Sequence, residues 1–246
     1  MTAADLPPDV STVSLGRRRL ALHGRACYLP DPDALVVADL HVGRAAASDV
    51  EYPLGERADL RERLAAAVDR FDPGTVAFAG DLLHRFDDAS ARSADALRDL
   101  AGVVRDAGAR PVLVAGNHDV RLDEVWTGDA HDEYRLADGT VVCHGHAEPT
   151  ADAPAYVVGH DHPTIAIEGQ RRPCLLYGEG VYRGADLLML PAFSRVAPGV
   201  EVNGMYASDF ASPLVRDADA LRPAVHDPDA DETLAFPPLG RFRRML

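Results

Sequence analysis

Apolar residues in the first half of the chain come in short runs, and these runs alternate with stretches of three-to-four periodicity. "ALVVADLH" (Ala34–His41) is an apolar run that ends in polar residues, the pattern of a strand buried on both faces. "GERADLRERLAAAVDRF" (Gly55–Phe71) sets Leu60, Leu64, Ala67, Val68 and Phe71 on one helical face. "TVAFAGD" is a second buried strand. "SARSADALRDLAGVVRDAG" is a second helix, capped near Ser90 and closed by Gly108. "RPVLVAGNHD" is a third strand. This β-α-β-α-β order predicts crossover connections and a largely parallel inner sheet.

After Asn117 the pattern changes. "DEYRLADGTVVCHG" reads as two strands about Asp138-Gly139, a strong hairpin signal. "TIAIEGQRRPCLLYG" reads as a second hairpin about Glu168–Arg171. "YVVG", "ADLLMLPAF" and "GVEVNGMY" continue the β character, and a first hairpin (Val13–Leu29) precedes the whole series. The stretch from Asp209 is rich in Asp and Pro, and is expected to add edge strands at "PAVHD" and "TLAFPPLG". The expectation is one domain over residues 1–246, α/β in its first half and mostly antiparallel β in its second. The chemistry-bearing motifs fall in 34–163 and the β-rich remainder in 164–246.

Composition narrows the class. With 246 residues the chain is long enough for a sizeable core, and no apolar run is long enough to span a membrane. Three dispersed cysteines (Cys27, Cys143, Cys174) and a start without a basic, then apolar, segment fit a cytoplasmic, reducing setting. The net charge is −14, and all 25 basic residues are arginine. An acidic, lysine-free surface is expected of a protein in a cytoplasm of high ionic strength, a halophilic setting. It disfavours a large phosphate-backbone footprint. Arg17–Arg19 and the terminal "RFRRM" are too small for one. "DPDADE" lacks the glycine and the terminal glutamate of a calcium loop.

The candidate chemistry sits at strand ends. "ADLHVG" supplies Asp39 and His41, "AGDLLH" Asp81 and His84, "AGNHD" Asn117, His118 and Asp119, "CHGH" His144 and His146, and "GHDHP" His160 and His162. Each block follows an apolar run, where open α/β sheets place their ligands. Seven of the ten histidines fall in these five blocks, a concentration that points to a metal site rather than to scattered surface imidazoles.

The series D-x-H, G-D-x-x-H, G-N-H-D, H-G-H, G-H-x-H resembles the calcineurin-like metallophosphoesterases, with all five blocks present over Ala34–Pro163. "DLHVG", "GDLLH" and "LPAF" further resemble the subgroup related to the nuclease subunit of double-strand-break repair complexes and to DNA-ligase-associated phosphoesterases. The resemblance implies a four-layer αββα sandwich of two mixed sheets. It also implies two divalent ions, one held by Asp39, His41 and His162 and the other by Asn117, His144 and His160, with Asp81 bridging. In "CHGH" the match falls on His144; His146 stays open as the alternative ligand. His118 would be the acid that meets substrate, positioned by a carboxylate, with Asp119 next to it in sequence. His84 would reach substrate phosphate or support the site. Arg44 would pair a substrate phosphate or open a helix in solvent. Asp161 has no metal role in this scheme and is expected to be free to vary.

Carboxylate, amide and imidazole donors without thiolate suit Mn²⁺ first, with Fe²⁺, Zn²⁺ and Ni²⁺ as alternatives. Two divalent ions about 3.5–4 Å apart can clamp the attacking and leaving oxygens of an in-line displacement. The short gaps between motifs leave no room for a cap domain, so an open cleft is expected. The implied function is hydrolysis of phosphodiesters, DNA or RNA among them, in DNA repair, with repair proteins as partners and a homodimer through exposed sheet edges. The alternatives are a phosphomonoesterase or protein phosphatase, and a non-catalytic metal-binding scaffold in a repair complex.

Overall fold

In the computed structural model, which describes residues 12–44, 55–84 and 90–244, the apolar runs of the first half form one seven-stranded sheet. Its strands lie in sequence order: β1 (Val13–Leu15), β2 (Arg18–His23), β3 (Ala26–Leu29), β4 (Ala34–Ala38), β5 (Thr75–Ala79), β6 (Arg110–Val114) and β7 (Ala130–His131). The first four run antiparallel; β4 to β7 are parallel. Helix α1 (Glu56–Phe71) links β4 to β5 and buries the five apolar residues whose spacing predicts it. Helix α2 (Ala91–Asp106) links β5 to β6, and the Ser90 side chain accepts from the Ser93 amide at its start.

The second half supplies β8 (Glu133–Arg135), β9 (Val141–Cys143), β10 (Ala155–Val158), β11 (Pro163–Ile167), β12 (Gln170–Pro173), β13 (Leu175–Tyr182), β14 (Ala185–Met189), β15 (Val200–Glu201), β16 (Arg222–Asp227) and β17 (Glu232–Ala235). Seven of these form a second sheet in the order β17-β16-β13-β14-β10-β9-β8, and a small third sheet has the order β12-β11-β15. Both expected hairpins are present, β8–β9 and β11–β12; of the two strands expected at the edge, β17 is the edge and β16 lies inside, paired with both β17 and β13. The second half is mostly antiparallel as expected, with parallel exceptions at β10 and where β15 pairs β11. β10 runs parallel to both of its neighbours, β9 and β14. That direction brings the ends of β9 and β10, with His144 and His160 just beyond, to one edge.

The layers follow from period-two alternation. In β4, Leu35 and Val37 pack with α1 and α2, while Ala34, Val36 and Ala38 face the second sheet. In β10, Ala155 and Val157 return that contact, and Tyr156 and Val158 face the other way. The outer face of the second sheet is covered by Ile165 and Val202 near the small sheet, by Phe210, Leu214 and Val215, and by the short helix α4 (Leu239–Phe242; α3 is Leu122–Val125). The fourth layer is therefore largely non-helical. Among the described residues no helix is long and apolar enough to cross a membrane.

Candidate metal centre

All five sequence blocks emerge past strand ends at the same edge of the two sheets. Asp39 follows β4, Asp81 follows β5, Asn117 follows β6, His144 follows β9 and His160 follows β10. The chain leaves these strands abruptly. Asp39, His41, Asp81, His160 and His162 all have positive φ, between 44° and 75°. Non-glycine residues rarely adopt that region, and strain of this kind persists where surrounding structure enforces it. Here it turns each side chain inward instead of along the strand. The glycines of the motifs make room. A Cβ on Gly116 would lie 2.3 Å from the Asp81 amide nitrogen and from its Oδ1. A Cβ on Gly80 would lie 2.2 Å from Nδ1 of His144.

The side chains converge. His41 Nε2 faces His162 Nε2 at 3.2 Å, and His162 Nε2 lies 3.5 Å from Asp39 Oδ1. His144 Nε2 is 3.0 Å from Asn117 Oδ1, 3.1 Å from His160 Nδ1 and 3.3 Å from Asp81 Oδ1. Asp81 Oδ2 reaches the first group too, 3.9 Å from His41 Nε2. Asp39, His41, Asp81 and His144 are almost fully buried. The donors fit cations on this geometry. Each facing pair of ring nitrogens can share at most one proton, and a cation accepting both lone pairs would relieve the opposition. Three groupings could each hold an ion: Asp39, His41 and His162; Asp39, Asp81 and His144; and His41, Asp81 and His118. A fourth trio, His23, His226 and Asp231, lies apart, and Arg70 already neutralises Asp231 at 2.8 Å.

The family model for calcineurin-like phosphoesterases matches residues 33–189, more than half of the chain and all five blocks. The chain belongs to the calcineurin-like phosphoesterase family. It is a metal-dependent phosphoesterase. Its structure is similar to the crystal structure of the Pseudomonas putida nuclease MPE, with a TM-score of 0.64 at 22% identity over 92% of this chain and 100% of that one. Weaker likenesses are to YfcE, a phosphoesterase from E. coli (TM-score 0.41, 16% identity, 80% of this chain and 88% of that one), and to a dimetal phosphatase from Danio rerio (0.37, 11%, 81% and 96%). No curated protein matches the chain in sequence.

In this phosphoesterase, electrostatics keep most of the imidazoles in the form that can donate a lone pair. Burial drives His41 down to about 3 and His144 down to about 4. Burial also lowers His160. Burial alone would raise Asp39, but its contact with His162 and the charges of the nearby histidines hold it down; the same carboxylate lifts His162 against the cost of burial. Burial and the Asp39 charge push Asp81 up to about 7. These two carboxylates repel without positive charge between them, which a cation would supply.

The structure gives His118 a backbone partner and corrects the expectation for Asp161. The carboxylate of Asp119, next to His118 in sequence, makes its hydrogen bonds elsewhere. His118 Nδ1 donates to the His84 carbonyl at 2.8 Å, turning Nε2 toward the centre, 3.8 Å from Asp81 Oδ2. Asp119 instead accepts from the amides of Gly116, Leu82 and Leu83, so it fastens the Asp81 loop to the Asn117 loop. Asp161 is not free to vary. It is 8% exposed and accepts from the amides of Ala211 and Ser212 at 2.7 and 3.0 Å. Ser212 Oγ in turn donates to the Gly145 carbonyl between the two histidines of the H-G-H block.

The alternative left open at that block is narrowed by burial. His144 is 1% exposed and central; His146 is exposed, its ring 5.2 Å from that of His144. His84 stacks with His118 at 6.4 Å and meets His41 edge-on at 5.8 Å. Arg44 is half-buried beside the centre, and its charge acts on His41 and His162. Ser212, fifty residues past the last motif, is the supporting residue sequence reasoning missed. Nothing in its local sequence marks it.

Proposed function

We propose that this phosphoesterase hydrolyses phosphodiesters at a two-ion centre. Asp39, His41 and His162 would hold one ion and Asn117, His144 and His160 the other, with Asp81 within reach of both groups. The observation that carries the reading is the convergence of the buried Asp39 and Asp81 with five imidazoles and Asn117 at one sheet edge. When bound, the ions supply a nucleophile from water at neutral pH and Lewis-acid neutralisation of phosphoryl charge. Mn²⁺ is the ion this donor set suits first.

The chain's own residues do the rest. With two divalent ions bound, the two carboxylates Asp39 and Asp81 would leave the site net positive, which would draw in a phosphate anion. His118 presents Nε2 at the centre while its Nδ1–H is tied to a backbone carbonyl. That bond survives in both charge states of the ring, so His118 can donate a proton to a departing alkoxide or stabilise charge on phosphoryl oxygens without losing its orientation. His84 buttresses His118, and Arg44 meets an outer phosphoryl oxygen. No separate domain stands between the motifs among the described residues, which leaves space for a polymer.

The fold similarity to a nuclease supports polynucleotide as the substrate, and DNA repair is the cellular setting we infer. A phosphomonoesterase is the competing reading. The test is turnover of bis-p-nitrophenyl phosphate and p-nitrophenyl phosphate across Mn²⁺, Fe²⁺, Zn²⁺ and Ni²⁺ at low and molar KCl. Faster Mn²⁺-dependent turnover of the diester is expected. Turnover of the monoester alone overturns the diester reading.

A further inference from the structure

The chain carries 39 acidic and 25 basic residues, so most arginines should find carboxylates. Beside the metal centre only two of four do, and they share one carboxylate. A cavity of about 390 Å³ is lined by Arg25, Arg63, Arg172, Arg195 and His226, among others. Among the described residues these four guanidiniums have one carboxylate partner, Asp59, 2.7 Å from Arg63 and 3.2 Å from Arg195. Arg172 meets only the amide oxygen of Gln170, at 3.2 Å. Arg25 donates to backbone carbonyls. Burial, then the charges of Arg63 and Arg195, press Arg25 down to about 10. Four cations crowded against one anion form a site that lacks negative charge.

The cavity shares a wall with the metal centre. β3 runs antiparallel to β4 with Cys27 opposite Val36, so the turn bearing Arg25 lies at the Asp39 end of the sheet. Arg25 Nη1 donates to the carbonyls of Ala192 and Ser194 at 2.9 and 2.5 Å, and Arg63 Nη1 to that of Phe193 at 2.7 Å. The opposite side of this segment is fastened to the metal loop. The Phe193 amide donates to the Ala38 carbonyl at 2.7 Å and the Ser194 amide to that of Asp39 at 3.3 Å. Arg63 also lies 4.4 Å above the Phe193 ring. Two of the four guanidiniums are thus held in place before any ligand arrives.

We propose that this arginine cavity binds a non-scissile phosphate of a polynucleotide whose scissile phosphate occupies the metal centre. The inference rests on the phosphodiester reading above. Guanidinium forks match phosphate oxygens in pairs, and preorganised ones lose little entropy on binding. A polymer presents a second phosphate to the cavity, and a small diester has none to present. The net charge of −14 has a role here too: the rest of the surface repels the backbone, and the cavity fixes where it runs.

The test compares wild type with the double variant Arg172→Ser and Arg195→Ser. Neither residue holds the Ala192–Ser194 backbone in the structure. Arg92→Ser with Arg98→Ser, which removes two exposed arginines of α2 outside the cavity, controls for net charge. The readouts are kcat/KM on a single-stranded oligonucleotide divided by kcat/KM on bis-p-nitrophenyl phosphate, and the salt dependence of oligonucleotide binding by fluorescence anisotropy. The ratio is expected to fall about tenfold or more through KM, as for lost charge-assisted contacts. The log Kd against log salt slope should flatten by roughly 0.7 per arginine removed. The Arg92→Ser, Arg98→Ser control should leave the ratio where it is. Wild type that cuts the oligonucleotide with ratio and slope unmoved in the double variant overturns the cavity proposal alone. Wild type that hydrolyses the small diester but neither binds nor cuts the oligonucleotide overturns the polynucleotide reading together with it.

Discussion

Replacing Asp161 by alanine removes a side chain that touches no candidate ligand atom, yet it should loosen the whole ligand loop. The carboxylate is buried and accepts from the Ala211 and Ser212 amides at 2.7 and 3.0 Å. Its own amide is tied to the Gly159 carbonyl at 3.0 Å, so the residue sits at the centre of the turn that carries His160 and His162. Hydrogen bonds to a charged acceptor contribute about 1.5 kcal/mol or more each, and two stranded amides give a loss of about 3 kcal/mol. In a chain of this length that corresponds to a fall in Tm of roughly 6–12 °C. Asp161→Asn keeps one acceptor oxygen and should fall by about half as much. Differential scanning fluorimetry of the metal-free protein reads the stability, and Mn²⁺ titration reads the ligands, which should bind more weakly in Asp161→Ala. An alanine variant with wild-type Tm and wild-type Mn²⁺ affinity would refute the assignment of Asp161 as the clasp of this loop.

Three further outcomes are expected. His118→Ala should lower kcat on the diester by about 10²–10⁴ while the ion content stays at the wild-type level, because its ring meets substrate; lost metal in this variant would make it a ligand instead. Gly116→Ala forces a methyl to 2.3 Å from the Asp81 amide nitrogen and should cost about 1–3 kcal/mol by thermal melting, with weakened metal binding; a neutral result would show that the loop yields freely. In the metal-free protein, His41 and His144 have folded values of about 3 and about 4 against 6.5 unfolded, so the unfolded chain takes up the protons first. Their contribution is intact above pH 6.5 and is lost as pH falls toward 4, whereas Asp81, held neutral to about 7, acts in the opposite sense. Two imidazoles outweigh one carboxyl, so the Tm of wild type should fall more steeply between pH 6.5 and 4 than that of His144→Asn. Equal slopes would contradict the assignment.

The strands and the five blocks were legible because buried parallel strands read as apolar runs, and polar residues at their ends stand out against them. The hairpin at Asp138-Gly139 was legible because its turn chemistry is local. What escaped depends on partners distant in sequence. Asp161 pairs with amides about fifty residues away, and Asp119 with amides about 36 residues before it. The direction of β10 was not encoded in its own four residues, because a short apolar run fits either pairing. Asp119 adjoins His118 in sequence, yet its carboxylate turns to the amides of the Asp81 loop, while the His118 ring donates to the His84 carbonyl. The arginine cavity gathers residues from five separate segments, and no local pattern announces it.

The central claim is that Asp81 and six other residues hold two ions. Titration of the metal-free protein with Mn²⁺, by calorimetry and by elemental analysis after desalting, tests it directly when wild type is set beside Asp81→Asn. The account predicts two ions per chain in wild type and a large loss of affinity for both in the variant. One ion or none in wild type, or two ions held with unchanged affinity by Asp81→Asn, would contradict it.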